Sequence, residues 1–272
     1  LSVTKEQPKE MLPIFMGNAL QALSVKPFLQ AVYEQLCDVG MEEFCFIVGR
    51  GKRAIEDHFT PDRRFIASLS RKGKNSLAQA MEEFYRRIER SVIIWVNQPE
   101  PKGFGDSVLK AEPLVATEDF IVHAGDTYII SEKSSHLKRL LKTHEENGAD
   151  ATFILEEMED PRIYGVAEAK ETERGVFQVK RVVEKPEKPP SNLAIIPIYV
   201  FDPAIFKAIK KVPTEKGREL QLTDGIQNLI DWGHNVYAVK MKPSEVRLDI
   251  GTPETYWQAL EASYRAFSPR KR

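Results

Sequence analysis

The sequence predicts an α/β fold with a doubly wound mixed sheet and helices on both faces. Short apolar runs alternate along the chain with amphipathic helical patterns, an order that is typical of such sheets. The runs are apolar without interruption, which favours strands covered on both faces, as in parallel sheets. They lie at residues 44–48, 92–96, 120–123, 152–155 and 194–201.

Helical patterns with defined ends lie between these runs. The first can begin at Pro27 and end at Gly40, because proline suits a first helical position and glycine the position beyond the last. Pro203 and Pro253, each after a capping residue, mark two further helix starts. The apolar stripes that would face the core are Phe28, Ala31, Val32 and Leu36, then Leu77, Met81, Phe84 and Ile88, and then Leu137, Leu140, Leu141 and His144.

The pattern changes after about residue 150. Residues 164–169 and 176–183 flank a polar turn at Gly175, and we expect an antiparallel excursion appended to the sheet. The length of 272 residues fits one large α/β domain or two small ones. We therefore predict a single domain, 1–272, whose parts at about 1–150 and 151–272 differ in function.

Composition narrows the class of protein. The chain is 42% hydrophobic, and its 39 basic and 40 acidic residues leave a net charge of -1. A nucleic-acid binder usually shows a basic excess, and a membrane span needs a long apolar run, so we expect neither partner. Cys37 and Cys45 lie in apolar segments without metal-ligand spacing, which predicts two buried free thiols and a cytoplasmic protein.

Eight short motifs follow one another from residue 8 to residue 251. They are PKEMLP at 8–13, Gln98 with KGFG at 102–105, GD at 125–126, YGV at 164–166, VEKP at 183–186, SNLAII at 191–196, ELQLTD at 219–224 and DIG at 249–251. In this order they resemble the UTP–glucose-1-phosphate uridylyltransferases, which are sugar-nucleotide pyrophosphorylases. The resemblance implies a Rossmann-like fold, an enzyme that makes UDP-glucose and pyrophosphate from UTP and glucose-1-phosphate, and a homo-oligomer, either a dimer or a tetramer.

Asp126 is the first candidate for metal chemistry. It follows an apolar run and Gly125, so its carboxylate would lie at the carboxyl end of a strand, where open α/β sheets bind ligands. An aspartate that caps the next loop is the alternative. The resemblance makes Asp126 a Mg²⁺ ligand and Asp249 a second candidate ligand.

Lys185 and Lys9 are the candidate phosphate-binding lysines. Pro186 restricts the backbone of Lys185 towards extended conformations. The resemblance implies that Lys185 binds the phosphate of the sugar phosphate and that Lys9 faces the triphosphate, whereas composition alone is also compatible with two surface lysines. It further implies that Glu184 accepts sugar hydroxyls and that Gly165 and Asn192 line the sugar pocket.

Gln98 is the candidate for reading the base. Its amide offers a donor and an acceptor together, which suits a uracil edge. By resemblance, Gln98 and Gly103 contact uracil and Glu10 lies near the nucleotide, although a glycine such as Gly103 more often serves an ordinary turn. The sequence GRGK at 49–52 lacks the spacing of a phosphate loop, and we interpret it as a strand–helix turn.

The chain departs from the family pattern at its start. Members of the family begin with a strand and a Gly-x-Gly-Thr-Arg loop that holds the triphosphate, and neither occurs here. We expect about twenty further residues in front of an intact protein. Residues 16–26 are longer than the usual family turn, which predicts an insertion near the nucleotide site.

Three other functions stay open. Thymidylyltransferases that make dTDP-glucose share the Glu-Lys-Pro turn and a C-terminal Asp-x-Gly, and a mannose-1-phosphate guanylyltransferase is a further alternative. A catalytically silent homologue that binds sugar nucleotides is a different class, favoured by the missing arginine loop. The joint presence of Lys9, Asp126 and Lys185 favours an enzyme.

Overall fold

The computed structural model describes residues 7–17, 23–213 and 219–268. Residues 1–6, and residues 18–22 of the predicted insertion, lie outside the described part. The strands are β1 Pro13–Gly17, β2 Leu23–Pro27, β3 Glu43–Gly49, β4 Val92–Gln98, β5 Phe120–His123, β6 Thr127–Ile130, β7 Ala151–Glu157, β8 Gly165–Glu173, β9 Val176–Glu184, β10 Leu193–Phe201, β11 Val236–Lys240 and β12 Val246–Asp249. The helices are α1 Phe28–Cys37, α2 Arg53–His58, α3 Arg63–Arg71, α4 Asn75–Arg90, α5 Phe104–Leu109, α6 Ser135–Glu146, α7 Ala204–Lys210, α8 Leu222–Asp231 and α9 Pro253–Phe267.

The described residues divide into two compact units. The first unit combines the residues up to Trp95, Gly125–Ser134 and the residues from Val246 onward, and the second combines Val96–Ala124 and Ser135–Glu245. These limits are not those of the parts predicted at 1–150 and 151–272. The functional division of the chain stays a prediction.

The second unit contains the central mixed sheet. Its six strands run in the order β5-β10-β7-β11-β9-β8. The β7–β11 pair is parallel, and the other neighbouring pairs are antiparallel. The predicted mixed α/β fold is confirmed, and the β8–β9 pair is the predicted antiparallel excursion around Gly175.

Continuous apolar runs indicated parallel pairing only in part: β7 has a parallel partner in β11, whereas β10 pairs antiparallel with β5 and β7. β7 and β10 are the most apolar strands, and they pair antiparallel to each other. Both are nevertheless covered on both faces. Phe153 packs in the core beside α7 and α8. Its neighbour Thr152 points to the opposite face, where its hydroxyl is hydrogen-bonded to His144 of α6 at 2.9 Å. Burial on two faces, rather than strand direction, selects an uninterrupted apolar sequence.

The first unit is built from three strand pairs and the helices that cover them. The pairs are β1–β2, β3–β4 and β6–β12. One core forms around Ile14, Phe28 and Leu248, and an aromatic core forms around Tyr33 and Phe84.

β3 and β4 depart from the prediction of strands covered on both faces. Phe46 and Trp95 pack into the aromatic core, but Val92 and Ile94 on the other face are 54% and 38% exposed. Cys45 is also exposed, so the prediction of two buried thiols is wrong; Cys37 is half-buried, and neither forms a disulfide. In the described part of the chain no element covers that face.

Most predicted helix ends agree with the structure. α1 begins directly after Pro27, and Gly40 follows its end with φ 95°. In α9, Thr252 accepts a hydrogen bond from the Thr255 amide and Pro253 occupies the first turn. One stripe residue is wrong: Leu77 is 45% exposed, and its neighbour Ala78 is buried instead. No helix in the described residues is both long enough and apolar enough to cross a membrane.

Candidate functional site

Lys9 and Asp126 form an ion pair in the first unit. Lys9 begins a short 3-10 turn after Pro8, and Asp126 lies just before β6. The Lys9 Nζ–Asp126 Oδ2 distance is 2.5 Å, and each side chain is 29% exposed. Burial alone would lower the pKa of Lys9, but the Asp126 carboxylate outweighs it, helped by Glu10 and Asp249, and the pKa is raised above its ordinary value. Lys9 therefore stays a cation within a carboxylate cluster.

Asp249 lies at the same end of the β6–β12 pair as Asp126. It is opposite Thr127 in the antiparallel register, and the Ile250 amide donates to the Asp126 carbonyl at 3.3 Å. The Asp249 carboxylate accepts hydrogen bonds from Arg247 at 3.1 Å and from the Gly251 amide at 2.8 Å. Two aspartates that are far apart in sequence are thus adjacent at one strand end.

The donor chemistry of this aspartate pair fits Mg²⁺. The described residues contain no group of three or more His, Cys, Asp or Glu side chains that could hold a metal. Mg²⁺ does not require one, because it commonly binds through one or two carboxylates and completes its shell with water and substrate phosphates. A softer metal such as Zn²⁺, which needs three or four protein ligands, fits less well.

Glu10 is held by Lys52, a residue that the sequence interpretation placed in a mere strand–helix turn. Lys52 does lie in the turn between β3 and α2, but its Nζ is 2.6 Å from Glu10 Oε1. The other Glu10 oxygen is buried and has no hydrogen-bond partner among the described residues. A Cβ at Gly125 would lie 3.4 Å from the Glu10 side chain, so Glu10 packs directly beside the turn that carries Asp126. The position of Lys52 just beyond a strand was the signal that could have identified it.

Gln98 ends β4 in the second unit, and its amide is engaged on both sides. The Nε2 group donates to Asp106 Oδ2 at 2.7 Å, and Oε1 accepts from the Ser107 hydroxyl at 3.0 Å. Asp106 and Ser107 are the third and fourth residues of α5 and directly follow the KGFG motif. Sequence reasoning missed both residues.

Gly103 is required by a close backbone contact. Its φ is 105°, and a Cβ would lie 2.6 Å from the Leu220 carbonyl oxygen. The Leu220 amide donates to the Lys102 carbonyl, and the Gly105 amide donates to the Leu220 carbonyl, each at 2.8 Å. The contact with Leu220 accounts for the glycine, and the contact of Gly103 with uracil stays a prediction.

Gly165 and Glu184 are directly opposite each other in the β8–β9 pair. The Thr223 hydroxyl donates to Glu184 Oε2 at 2.7 Å. A Cβ at Gly165 would lie 3.0 Å from that hydroxyl and 3.3 Å from the carboxylate, so glycine leaves the space that the pair occupies. Thr223 belongs to the ELQLTD motif, but its role was not predicted.

Lys185 has a left-handed backbone, which corrects the expectation of an extended conformation before proline. Its φ is 42°, and its amide donates to the Tyr164 carbonyl at 3.0 Å. That hydrogen bond closes the turn after β9 and overrides the preference set by Pro186. The Lys185 side chain is 58% exposed and its Nζ is 3.8 Å from Glu184 Oε1. A non-glycine residue in this region is strained by about 1–3 kcal/mol, and such strain is common at functional sites.

Asn192 lies directly before β10 and is hydrogen-bonded to the end of β7. Its side-chain amide donates to Glu157 Oε1 at 2.9 Å, and its carbonyl accepts from the Met158 amide. Glu157 also pairs with Lys240 at 3.1 Å. The role of Asn192 in lining the sugar pocket stays a prediction.

Comparison with known proteins gives consistent similarities along the chain. The profile of the family described as "Nucleotidyl transferase" matches residues 2–265. A Methanocaldococcus jannaschii protein with the provisional name UTP–glucose-1-phosphate uridylyltransferase is 37% identical over 255 residues, which are 92% of this chain and 83% of that protein. A UTP–glucose-1-phosphate uridylyltransferase of Staphylococcus epidermidis is 34% identical over 254 residues, again 92% of this chain and 83% of that protein.

Solved structures give the same similarity. A UDP-glucose pyrophosphorylase complexed with UDP-glucose has a TM-score of 0.81 and 31% identity, with 98% of this chain and 94% of that chain covered. A UTP-bound pyrophosphorylase of the same type from Acinetobacter baumannii has a TM-score of 0.82 and 25% identity, with 99% of this chain and 90% of that chain covered.

Proposed function

Because the chain belongs to the nucleotidyl transferase family, we propose that it makes UDP-glucose and pyrophosphate from UTP and glucose-1-phosphate. The observation that carries the proposal is the 33–37% identity with several proteins named UTP–glucose-1-phosphate uridylyltransferase. The structure supports the proposal, because Asp126, Gln98 and Glu184 lie at strand ends. With the cations Lys9 and Lys185 they supply the carboxylates, the amide and the positive charge that the reaction needs.

In the proposed reaction, a phosphate oxygen of glucose-1-phosphate attacks the α-phosphorus of UTP. A new oxygen–phosphorus bond forms, the bond to the oxygen bridging to the β-phosphate breaks, and pyrophosphate leaves with the electron pair. The reactants are both anions, so neutralising and positioning them lowers the barrier most. Lys9 is suited to this task, because its carboxylate neighbours raise its pKa and keep it charged.

Asp126 and Asp249 would hold Mg²⁺ in the proposed enzyme. A bound Mg²⁺ supplies positive charge to the phosphate oxygens during transfer. Asp126 also orients Lys9 through their 2.5 Å contact. This one carboxylate would therefore both bind the metal and position the lysine.

Gln98 and Glu184 would recognise the two non-reacting ends of the substrates in the second unit. The Gln98 amide retains one N–H and one oxygen lone pair beyond its two protein hydrogen bonds, which is enough for a uracil edge. Glu184, oriented by Thr223, retains acceptor capacity for sugar hydroxyls. Lys185, exposed beside it, would bind the phosphate of glucose-1-phosphate, and Gly165 and Asn192 would line the sugar.

Release of pyrophosphate tests the proposal. The full-length gene product is incubated with Mg²⁺ and UTP, with and without glucose-1-phosphate. We expect pyrophosphate only when the sugar phosphate is present, in equal amount to UDP-glucose. Binding of UTP without turnover of any triphosphate would instead support a silent homologue, and faster turnover of dTTP than of UTP would support a thymidylyltransferase.

Two further proposals concern the compartment of the enzyme and its oligomeric state. Two cysteines without a disulfide favour the cytoplasm, and we propose a homo-oligomer, a dimer or tetramer, from the family resemblance. Light scattering on the eluting protein measures the second point, and a single monomer mass would contradict it.

A further inference from the structure

The hydrogen bonds of Gln98 fix which way its amide points. Nε2 donates to Asp106 at 2.7 Å and Oε1 accepts from Ser107 at 3.0 Å. The Asp106 side chain is only 15% exposed, and Lys110 Nζ lies 3.8 Å from its second oxygen. Asp106 is therefore a largely buried carboxylate, and the cation Lys110 lies near the oxygen that does not contact Gln98.

Asp106 decides the direction of the amide. A carboxylate only accepts hydrogen bonds and an amide nitrogen only donates, whereas a hydroxyl such as that of Ser107 can do either. Turning the Gln98 amide by half a rotation would place its oxygen against the Asp106 oxygen at hydrogen-bond distance. Ser107 could adapt to that arrangement, but Asp106 could not.

The direction of this amide matters for pyrimidines. At positions 3 and 4, uracil presents an N–H donor and a carbonyl acceptor, while cytosine presents a ring-nitrogen acceptor and an amino donor. A freely rotating amide can match either base by exchanging its two ends. A fixed amide matches one order and opposes the other, which leaves polar groups facing groups of the same kind.

We propose that Asp106 is a positioning residue that makes Gln98 select uracil over cytosine. The inference rests on the proposed function, since it takes UTP as the nucleotide and Gln98 as the side chain that reads its base. Thymine presents the same groups as uracil at positions 3 and 4. Asp106 therefore separates UTP from CTP and does not separate UTP from dTTP.

The test is Asp106→Asn, which keeps the shape and removes the acceptor-only character. We expect the ratio of kcat/KM for UTP over CTP to fall about tenfold or more, because an asparagine amide permits both directions of Gln98. The ratio of UTP over dTTP should stay unchanged, which general damage to the site would not produce selectively. Ser107→Ala should keep the UTP over CTP ratio within about twofold, since the carboxylate remains.

Gln227 offers a matched control. Its Nε2 donates to Asp231 at 2.7 Å and its Oε1 accepts from the Val182 amide at 2.8 Å, the same chemistry at another place in the second unit. Asp231→Asn should leave all three triphosphate rates at wild-type ratios. If Asp106→Asn does not fold, Asp106→Ser replaces it, because a hydroxyl also permits both directions.

Equilibrium binding of UTP and CTP to the same variants separates two kinds of failure. Unchanged UTP over CTP selectivity in folded Asp106 variants, in both binding and turnover, would overturn the inference. A wild-type protein that binds UTP in preference to CTP but never releases pyrophosphate would overturn the proposed function, and the loss of that preference in Asp106→Asn would still support the role of Asp106.

Discussion

Lys9 and Asp126 neutralise each other through a single short contact of 2.5 Å. Under the proposed function each has another partner during turnover, the triphosphate for Lys9 and Mg²⁺ for Asp126. The ion pair therefore positions both side chains and can be exchanged for these substrate and metal contacts. Each side chain is 29% exposed, and an ion pair in contact with solvent contributes little to stability.

Asp126→Asn tests this pair. We expect turnover to fall by about 100-fold or more, because a neutral amide binds a divalent cation poorly, while the thermal midpoint stays close to that of the wild type. Pyrophosphate release across a Mg²⁺ titration is the measurement. The control is Asp160→Asn, which removes a carboxylate that pairs with Arg162 and should change neither quantity. A fully active Asp126→Asn enzyme would show that this carboxylate holds no metal.

Lys185→Ala separates sugar-phosphate binding from chemistry. Because Lys185 is exposed and would contact a substrate phosphate, its loss should raise the KM for glucose-1-phosphate about tenfold or more and leave the KM for UTP nearly unchanged. Lys188, exposed in the same loop, provides the control Lys188→Ala. Equal effects of the two substitutions would mean that Lys185 acts only through the general charge of the loop.

At the scale of single residues, the sequence identified candidate side chains but not the residues that hold them. Asp126 was predicted because it follows an apolar run, whereas Gln98 and Glu184 were assigned by the family resemblance. Lys52, Asp106 and Thr223 act on their neighbours across turns or from a following helix, and only the folded chain brings them into contact. Lys185 illustrates the same limit, since a tertiary hydrogen bond overrides the backbone preference set by Pro186.

Among the elements, the loop before α5 shows how a backbone contact fixes a motif. Gly103 combines a φ of 105° with a Leu220 oxygen only 2.6 Å from where a Cβ would lie. Both features exclude a side chain, and only the first is visible in a local pattern. The sequence therefore identified the glycine while giving no reason for it that involved residue 220.

Gly103→Ala and Gly233→Ala distinguish these two features. Gly233 has a φ of 85° and no atom within 4 Å of the place that a Cβ would take, so its substitution should lower the free energy of unfolding by about 1 kcal/mol from backbone strain alone. Gly103→Ala adds a collision with backbone and should cost about 3 kcal/mol or more. Urea unfolding measures both, and equal losses would show that the loop moves aside without penalty.

Strand direction is the element property that the sequence predicted least well. β7 and β10 have the apolar composition of buried parallel strands and are antiparallel to each other. β3 and β4 have the sequence pattern of buried strands and yet have one exposed face. Apolar runs report how hydrophobic a strand is, whereas pairing and cover depend on elements that are distant in sequence.

For the whole molecule, long-range pairing decides the organisation. β6 and β12 pair although more than a hundred residues separate them, and this pair carries residues from two stretches of the chain into the first unit. No local pattern indicates which strand Thr127–Ile130 will meet. Overall fold class could therefore be predicted from the alternation of elements, but the composition of the two units could not.

Acid should destabilise the whole protein before its carboxylates are protonated. Burial, together with the nearby His123, lowers the pKa of His136 to about 3, and burial lowers the pKa of His58. In the unfolded chain a histidine takes up a proton near pH 6.5. The unfolded state therefore binds more protons as the pH falls below about 6.5, and stability that is fully present above that pH is lost progressively towards the folded pKa.

We expect the free energy of unfolding to fall by about 2 kcal/mol between pH 7 and pH 5 on account of His136, with His58 adding to the loss. Urea unfolding at the two pH values measures the difference. His136→Gln should reduce the difference, whatever its effect on stability at pH 7. A variant that loses as much stability as the wild type over this interval would show that His136 titrates normally in the folded protein.

The segment from Leu220 to Thr223 connects two places that the proposed function uses separately. Leu220 secures the loop of Gly103, next to Gln98, the proposed reader of the base. Thr223 secures Glu184, the proposed acceptor for sugar hydroxyls. One short stretch of chain thus supports both the nucleotide end and the sugar end of the reaction. Under the proposed function, a change that loosens this segment, such as Gly103→Ala, should weaken the two substrates together, and occupation of one subsite should favour occupation of the other.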